Sequence, residues 1–211
     1  MNTPLLCQIA EVSFGVPVIA GAYLYRTLGT QGRRFFFYCL LMALGISVEA
    51  IIPMTGRSNY FFIRVFVIGQ TIGIAGMFCS FVKNGRWCRF VMILLMVFLA
   101  ISAGHDVFTD TQEALNEVDI LFSGVIQILL GGILVYVAIN VQEVPYQKNP
   151  LFLFGFSILI YNAGTVMILS FGNVLLKMGL EYFTMAWTIN WSLAIFSNIL
   201  CAYTFFFLRD E

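Results

Sequence analysis

Four ionisable side chains stand inside stretches that are otherwise apolar: Glu11, Glu49, Arg64 and Asp119. A charge at the centre of a membrane-spanning helix costs about 2.5–3.5 kcal/mol on the insertion scale, and less toward the helix ends. Such a group is kept where it meets an opposite charge or faces water inside the protein. One arginine and three carboxylates allow two chemistries. The first is a structural ion pair of Arg64 with Glu49 or Glu11. The second is an outward-facing ligand cavity lined by Glu11, Glu49 and Arg64, with Asp119 at its rim and Gln70, Gln127, Asn190 and Trp191 as its floor. Tyr161 belongs to the same ligand-binding set. Taken alone, Glu117 and Asp119 read as solvated helix ends.

Catalytic chemistry finds little to work with. His105 is the single histidine, so three-histidine zinc chemistry is excluded within one chain. No GxSxG turn, Walker loop or pair of aspartates at a helix midplane is present. A retinal Schiff base needs a lysine in the last helix, and none lies between Lys177 and Arg209. The five cysteines are scattered and form no CxxC pair, so they read as small apolar residues rather than metal ligands. We expect no enzyme activity, no metal and no cofactor.

The elements that position these residues are apolar helices. The chain has 211 residues, of which 60% are hydrophobic and 10% charged, and its mean hydropathy is +0.91. A soluble domain is about a quarter charged; this one lacks the polar surface to cover a globule in water, so an all-α integral membrane protein is expected, with the lipid bilayer as its surroundings. No basic run points to nucleic acid. Seven segments have spanning length, at about 4–26, 34–54, 60–82, 88–105, 117–140, 150–173 and 181–208. No linker divides them, so 1–211 reads as one polytopic domain.

Basic residues set the orientation. Arg26, Arg33 and Arg34 lie in the first connection, Lys83, Arg86 and Arg89 in the third, Lys148 in the fifth and Arg209 after the last segment. The even connections hold Arg57 and Lys177. The N-terminus is therefore expected outside and the C-terminus in the cytoplasm, in a bacterial inner membrane.

Spacing within the segments gives further expectations. In the third, Gly69, Gly73, Gly76 and Ser80 share one side, with Arg64 and Thr71 roughly opposite. Small residues let helices approach closely, so this segment is expected at the centre of the bundle. The fourth, almost purely apolar over 90–102, is expected to face lipid. Pro17 is expected to kink the first, because proline removes a backbone hydrogen bond. In the seventh, Trp187, Asn190, Trp191, Ala194 and Asn198 form a polar-aromatic seam. Glu11 precedes Phe35 by as many residues as Gln127 precedes Leu151. That spacing allows a parallel repeat of segments 1–3 and 5–7 with the fourth as linker, a 3+1+3 plan found among small transporters.

The stretches NPLFLFGFSILIYNAGTVMI (149–168) and WTINWSLAIFSNILCAYTFFF (187–207) resemble the last helices of small seven-helix membrane proteins of Bacteroidota-type bacteria. The shared features are the Asn-Pro start, Tyr161 and the Trp/Asn seam. The association of that family with histidine kinases implies a sensory module with such a kinase, or another membrane protein, as partner; it implies no catalytic residues. Three functions follow as alternatives: a receptor-like sensor for a small molecule, a 3+1+3 transporter, or a non-catalytic subunit of a larger membrane complex.

Overall fold

The computed structural model describes residues 5–52, 60–108, 112–141 and 144–209, with the side chains of 60, 105–118 and 141 outside that description. Glu117 therefore falls outside it. Seven helices are long and apolar enough to cross a membrane. They are α1, broken into Leu5–Ser13 and Gly15–Leu24; α2, Thr30–Ile51; α3, Tyr60–Val82; α4, Gly85–Phe108; α5, Gln112–Val141; α6, Pro150–Met178; and α7, Leu180–Thr204. Large apolar side chains such as Leu41, Ile93, Met96 and Met185 are mostly exposed on their outer faces. Patches of that extent are not left bare by soluble monomers. The protein has the length and hydropathy of a multi-pass membrane protein.

Local chemistry explains the helix ends. The break in α1 falls at Phe14, just before Pro17. Proline at 17 has no N–H to give the Ser13 carbonyl, and its ring crowds that carbonyl. α6 starts as the sequence dictates: Asn149 Oδ1 accepts from the Leu151 N–H at 2.9 Å, and Pro150 takes the first helical position. Asn84 caps α4 in the same way through the Arg86 N–H at 3.0 Å. Gly179, with φ of +138°, makes the tight reversal from α6 to α7.

The helices pack in a circle. α1 touches α2, α2 touches α3, α3 touches α5, then α6 and α7 follow, and α7 closes back on α1. α4 lies outside this circle, against α3 and α5. The tightest seam is α5–α6, where Gly131 and Gly155 face each other. A Cβ at Gly155 would come 2.7 Å from Leu134 Cβ and 2.9 Å from the Gly131 carbonyl oxygen. α7 is strapped to the first connection, where the Gly29 N–H donates to the Leu208 carbonyl at 3.1 Å and Leu28 bridges Arg209. This end carries the basic connections, and it is filled by aromatic side chains. Phe35 lies 5.0 Å from Phe154 and 4.8 Å from Phe205, ring centre to ring centre, and all three are fully buried.

Two expectations about packing are corrected. α6 is the most enclosed span, with half of its apolar window buried against 39% for α3, because α6 is gripped by both α5 and α7. The glycine stripe of α3 is not a packing face throughout: Gly73 meets the Tyr38 ring, whereas Gly69 and Gly76 have no neighbour within 4 Å of a built Cβ. α3 instead buries Val67, Thr71, Ile74, Phe78 and Phe81. α4 stands outside the circle in the angle between α3 and α5 with most of its surface exposed, and α2 is barer still, 11% buried against 22% for α4.

The glycine seam is testable. Gly155→Val should cost about 1–3 kcal/mol through overpacking, read as a lower unfolding midpoint in detergent. Gly132→Ala, with nothing within 4 Å of its Cβ, should be near neutral; equal losses would show that the seam is loose.

Candidate functional site

Arg64, near the start of α3, reaches α4 and α5. Its Nη2 donates to the Ser102 carbonyl at 2.6 Å and to Ser102 Oγ at 3.1 Å. Its Nε lies 3.1 Å from Asp119 Oδ2. Asp119 is 3% exposed and Ser102 2%. The expected partners Glu49 and Glu11 are thus replaced by Asp119, and Asp119 is a buried ion-pair partner rather than a rim or solvated residue. The reason is the circle of helices: α3 packs on α5, so a residue one turn into α3 meets the start of the apolar part of α5. Asp119 Oδ2 has no aligned hydrogen bond among the described residues, so the pair acts by charge at short range. It ties the outlying α4 to the circle.

A second polar network lies deeper between the same helices. Thr71 Oγ1 donates to the Val67 carbonyl at 2.8 Å and lies 2.9 Å from Ser123 Oγ. Gln127 Nε2 donates to Ser123 Oγ at 2.7 Å and to Thr71 Oγ1 at 3.3 Å. Gln70 Nε2 then donates to Gln127 Oε1 at 3.2 Å. Thr71, Ser123 and Gln127 are buried, and buried polar groups persist where they are bonded in this way. On the far side of the bundle, Asn190 pairs with Thr165 at 3.3 Å, Ser197 Oγ donates to the Ser157 carbonyl at 3.0 Å, and Asn198 Nδ2 donates to Ser13 Oγ at 2.8 Å. The Asn190 side chain fits because residue 164 is glycine, whose built Cβ would lie 2.7 Å from Asn190 Oδ1.

Between the two networks the circle encloses a chamber of about 240 Å³. Its polar wall is Glu49 from α2, Gln70 from α3, Ser123 and Gln127 from α5, Tyr161, Asn162 and Thr165 from α6, and Asn190 from α7. Phe66 and Trp187 add aromatic faces. A second chamber of about 50 Å³ adjoins it through the shared residues Gln70, Tyr161 and Asn162. It is lined by Phe14, Tyr38, Met42, Asn198 and Cys201 among others, and Phe154 of the aromatic plug forms part of its wall.

The chamber brings together Glu49, Gln70, Gln127, Tyr161 and Asn190 of the expected set. Arg64 and Asp119 are spent on each other and do not line it. Glu11 is exposed on α1 and accepts from Cys7 Sγ at 3.6 Å. Trp191 lies half-buried beside Trp187, ring centres 6.2 Å apart, and does not line either chamber. The residues not foreseen as site residues are Ser102, Ser123, Asn162, Thr165 and Trp187. Ser123 stands four residues before Gln127, and Asn162 beside Tyr161, so helical spacing carried a signal for both. Nothing in the sequence pointed to Ser102.

Removing one member of a buried ion pair costs about 3–5 kcal/mol, because the other is left uncompensated. Arg64→Ala and Asp119→Ala should each lower the unfolding midpoint in detergent by that order. Arg64→Met combined with Asp119→Leu should recover most of the loss; additive losses would mean that the two side chains do not act as a pair.

No family model, curated protein or solved structure matches the chain.

Proposed function

We propose that the protein is a receptor-like sensor of the bacterial inner membrane. In this reading it binds a small molecule in the chamber bounded by Glu49, Gln70, Tyr161, Thr165 and Asn190, with the N-terminus outside and the C-terminus in the cytoplasm. The observation that carries this is the chamber itself: five helices contribute polar groups to one concave space, the arrangement that small-molecule sites favour. Its position supports access from outside. The opposite, basic end is closed by Phe35, Phe154 and Phe205, and basic connections belong to the cytoplasmic side. The route for output is also physical. α7 carries Asn190 in the chamber and, through Leu208, bonds to the first connection. A shift of α7 on binding would move that cytoplasmic connection, where a histidine kinase or another membrane protein would read it.

A second reading, a small transporter of 3+1+3 plan, is favoured by one observation. The circle order is unchanged when helices α1–α3 are exchanged with α5–α7, and α4 stands apart. Transporters built from parallel repeats hold substrate at the repeat interface.

Access separates the readings. With Thr165→Cys, compared with the parent protein, a small charged thiol reagent should label the new cysteine from outside only. Labelling from both faces would favour transport, and labelling from neither would sink both readings. Orientation is checked in the same preparations: Thr111→Cys should label from outside and Asn84→Cys from inside, and the reverse pattern would overturn the topology.

A further inference from the structure

Two of the five cysteines meet at the basic end of the bundle. Cys79 lies one turn before the end of α3 and Cys88 one turn into α4, and the chain between them makes the reversal that joins the two helices. Cys88 Sγ donates to the Cys79 carbonyl at 3.8 Å, and the two thiols interact with each other. The turn builds this contact. Lys83 takes a φ of +49°, its N–H donates to the Cys79 carbonyl at 3.3 Å, and the Cys88 N–H donates to the Asn84 carbonyl at 2.9 Å. Both cysteine backbones are thus held at the reversal, one on each of the facing helix ends.

Surroundings separate this pair from the other three. Cys79 and Cys88 are half-buried, and Lys83, Asn84, Gly85, Arg86 and Trp87 between them are exposed. Cys39 and Cys201 instead line the smaller chamber inside the bundle, Cys39 buried and Cys201 lying 3.2 Å from Ser157 Oγ. Cys7 has Glu11 as its partner in place of a second thiol. A thiol reacts as its thiolate, and an anion forms at the open end of a helix pair rather than in an apolar interior.

We propose that Cys79 and Cys88 form a dithiol site that a low-molecular-weight disulfide oxidises to an intrachain bridge between α3 and α4. One cysteine, as its thiolate, attacks a sulfur of the small disulfide; that S–S bond breaks, and the released thiolate takes up a proton. The second cysteine gives up its proton and attacks the sulfur of the first, and the other small thiol leaves. The protein loses two hydrogen atoms, which the small disulfide takes up as it becomes two thiols. The bridge ties α3, which carries Gln70 of the chamber, to α4 at the end opposite the Arg64–Ser102 tie.

The test uses full-length protein in lipid nanodiscs, reduced, freed of reductant and incubated with glutathione disulfide at neutral pH. Remaining thiols are then alkylated in denaturant, and tryptic peptides are read by mass spectrometry. Lys83 and Arg86 lie between the two cysteines, so trypsin leaves them on separate peptides that stay joined only through a bridge. The joined pair should be the main form and should separate after dithiothreitol, with Cys7, Cys39 and Cys201 alkylated. Cys88→Ser should trap glutathione on Cys79, and Cys79→Ser should trap it on Cys88, about tenfold or more above the adduct left on the parent protein. Should either variant fold poorly, the peptide pattern of the parent decides alone. Alkylation of both cysteines, glutathione retained on one of them in the parent, or a bridge to any other cysteine would overturn the proposal.

Discussion

A polar group inside a helix of this hydropathy has no water to fall back on and must find its partner within the protein. That constraint governs the arrangement of this bundle. The helices are too apolar for hydrophobic burial to choose among their faces, since an outward face in lipid is as well placed as an inward one. Selection falls to the few side chains that need partners and to the glycines that let backbones meet. Arg64 needs a carboxylate and finds Asp119. Thr71, Ser123, Gln127 and Gln70 need one another and form a single chain of bonds. Across the circle from that chain stand Thr165 and Asn190 of α6 and α7, bonded to each other, and the space between the two sides is the chamber.

The same constraint explains the uneven packing. The α5–α6–α7 half is held by Gly131 against Gly155, Gly164 against Asn190, and the Ser157–Ser197 and Thr165–Asn190 bonds. Among the described residues, the α1–α2 side has its tie to α7 in the Asn198–Ser13 bond. α2 is the barest span, and the first half of α1, Leu5–Ser13, leans on α7.

Much of the architecture was legible in the residues. Hydropathy marked seven helices to within a few residues, Asn149-Pro150 and Gly179 marked ends, and Pro17 marked the break in α1, because these are local effects of backbone chemistry. The face of α2 that carries Tyr38, Met42 and Glu49, and that of α6 that carries Ser157, Tyr161 and Thr165, were legible from helical spacing and do look inward. What spacing could not give was which helix stands beside which. Seven apolar helices of similar length can be ordered in many ways, and each order pairs Arg64 with a different carboxylate. Glu49 and Glu11 were plausible by depth; Asp119 became the partner because α3 abuts α5, a neighbour remote in sequence. The glycine stripe of α3 had the right spacing for packing, yet two of its members face outward because the helix turns its polar side to α5. The sequence by itself determined the helices and the stock of polar groups. Only the tertiary structure decided how those groups pair, and so which are used up and which remain to face the chamber, because pairing depends on distances between helices that no single helix encodes.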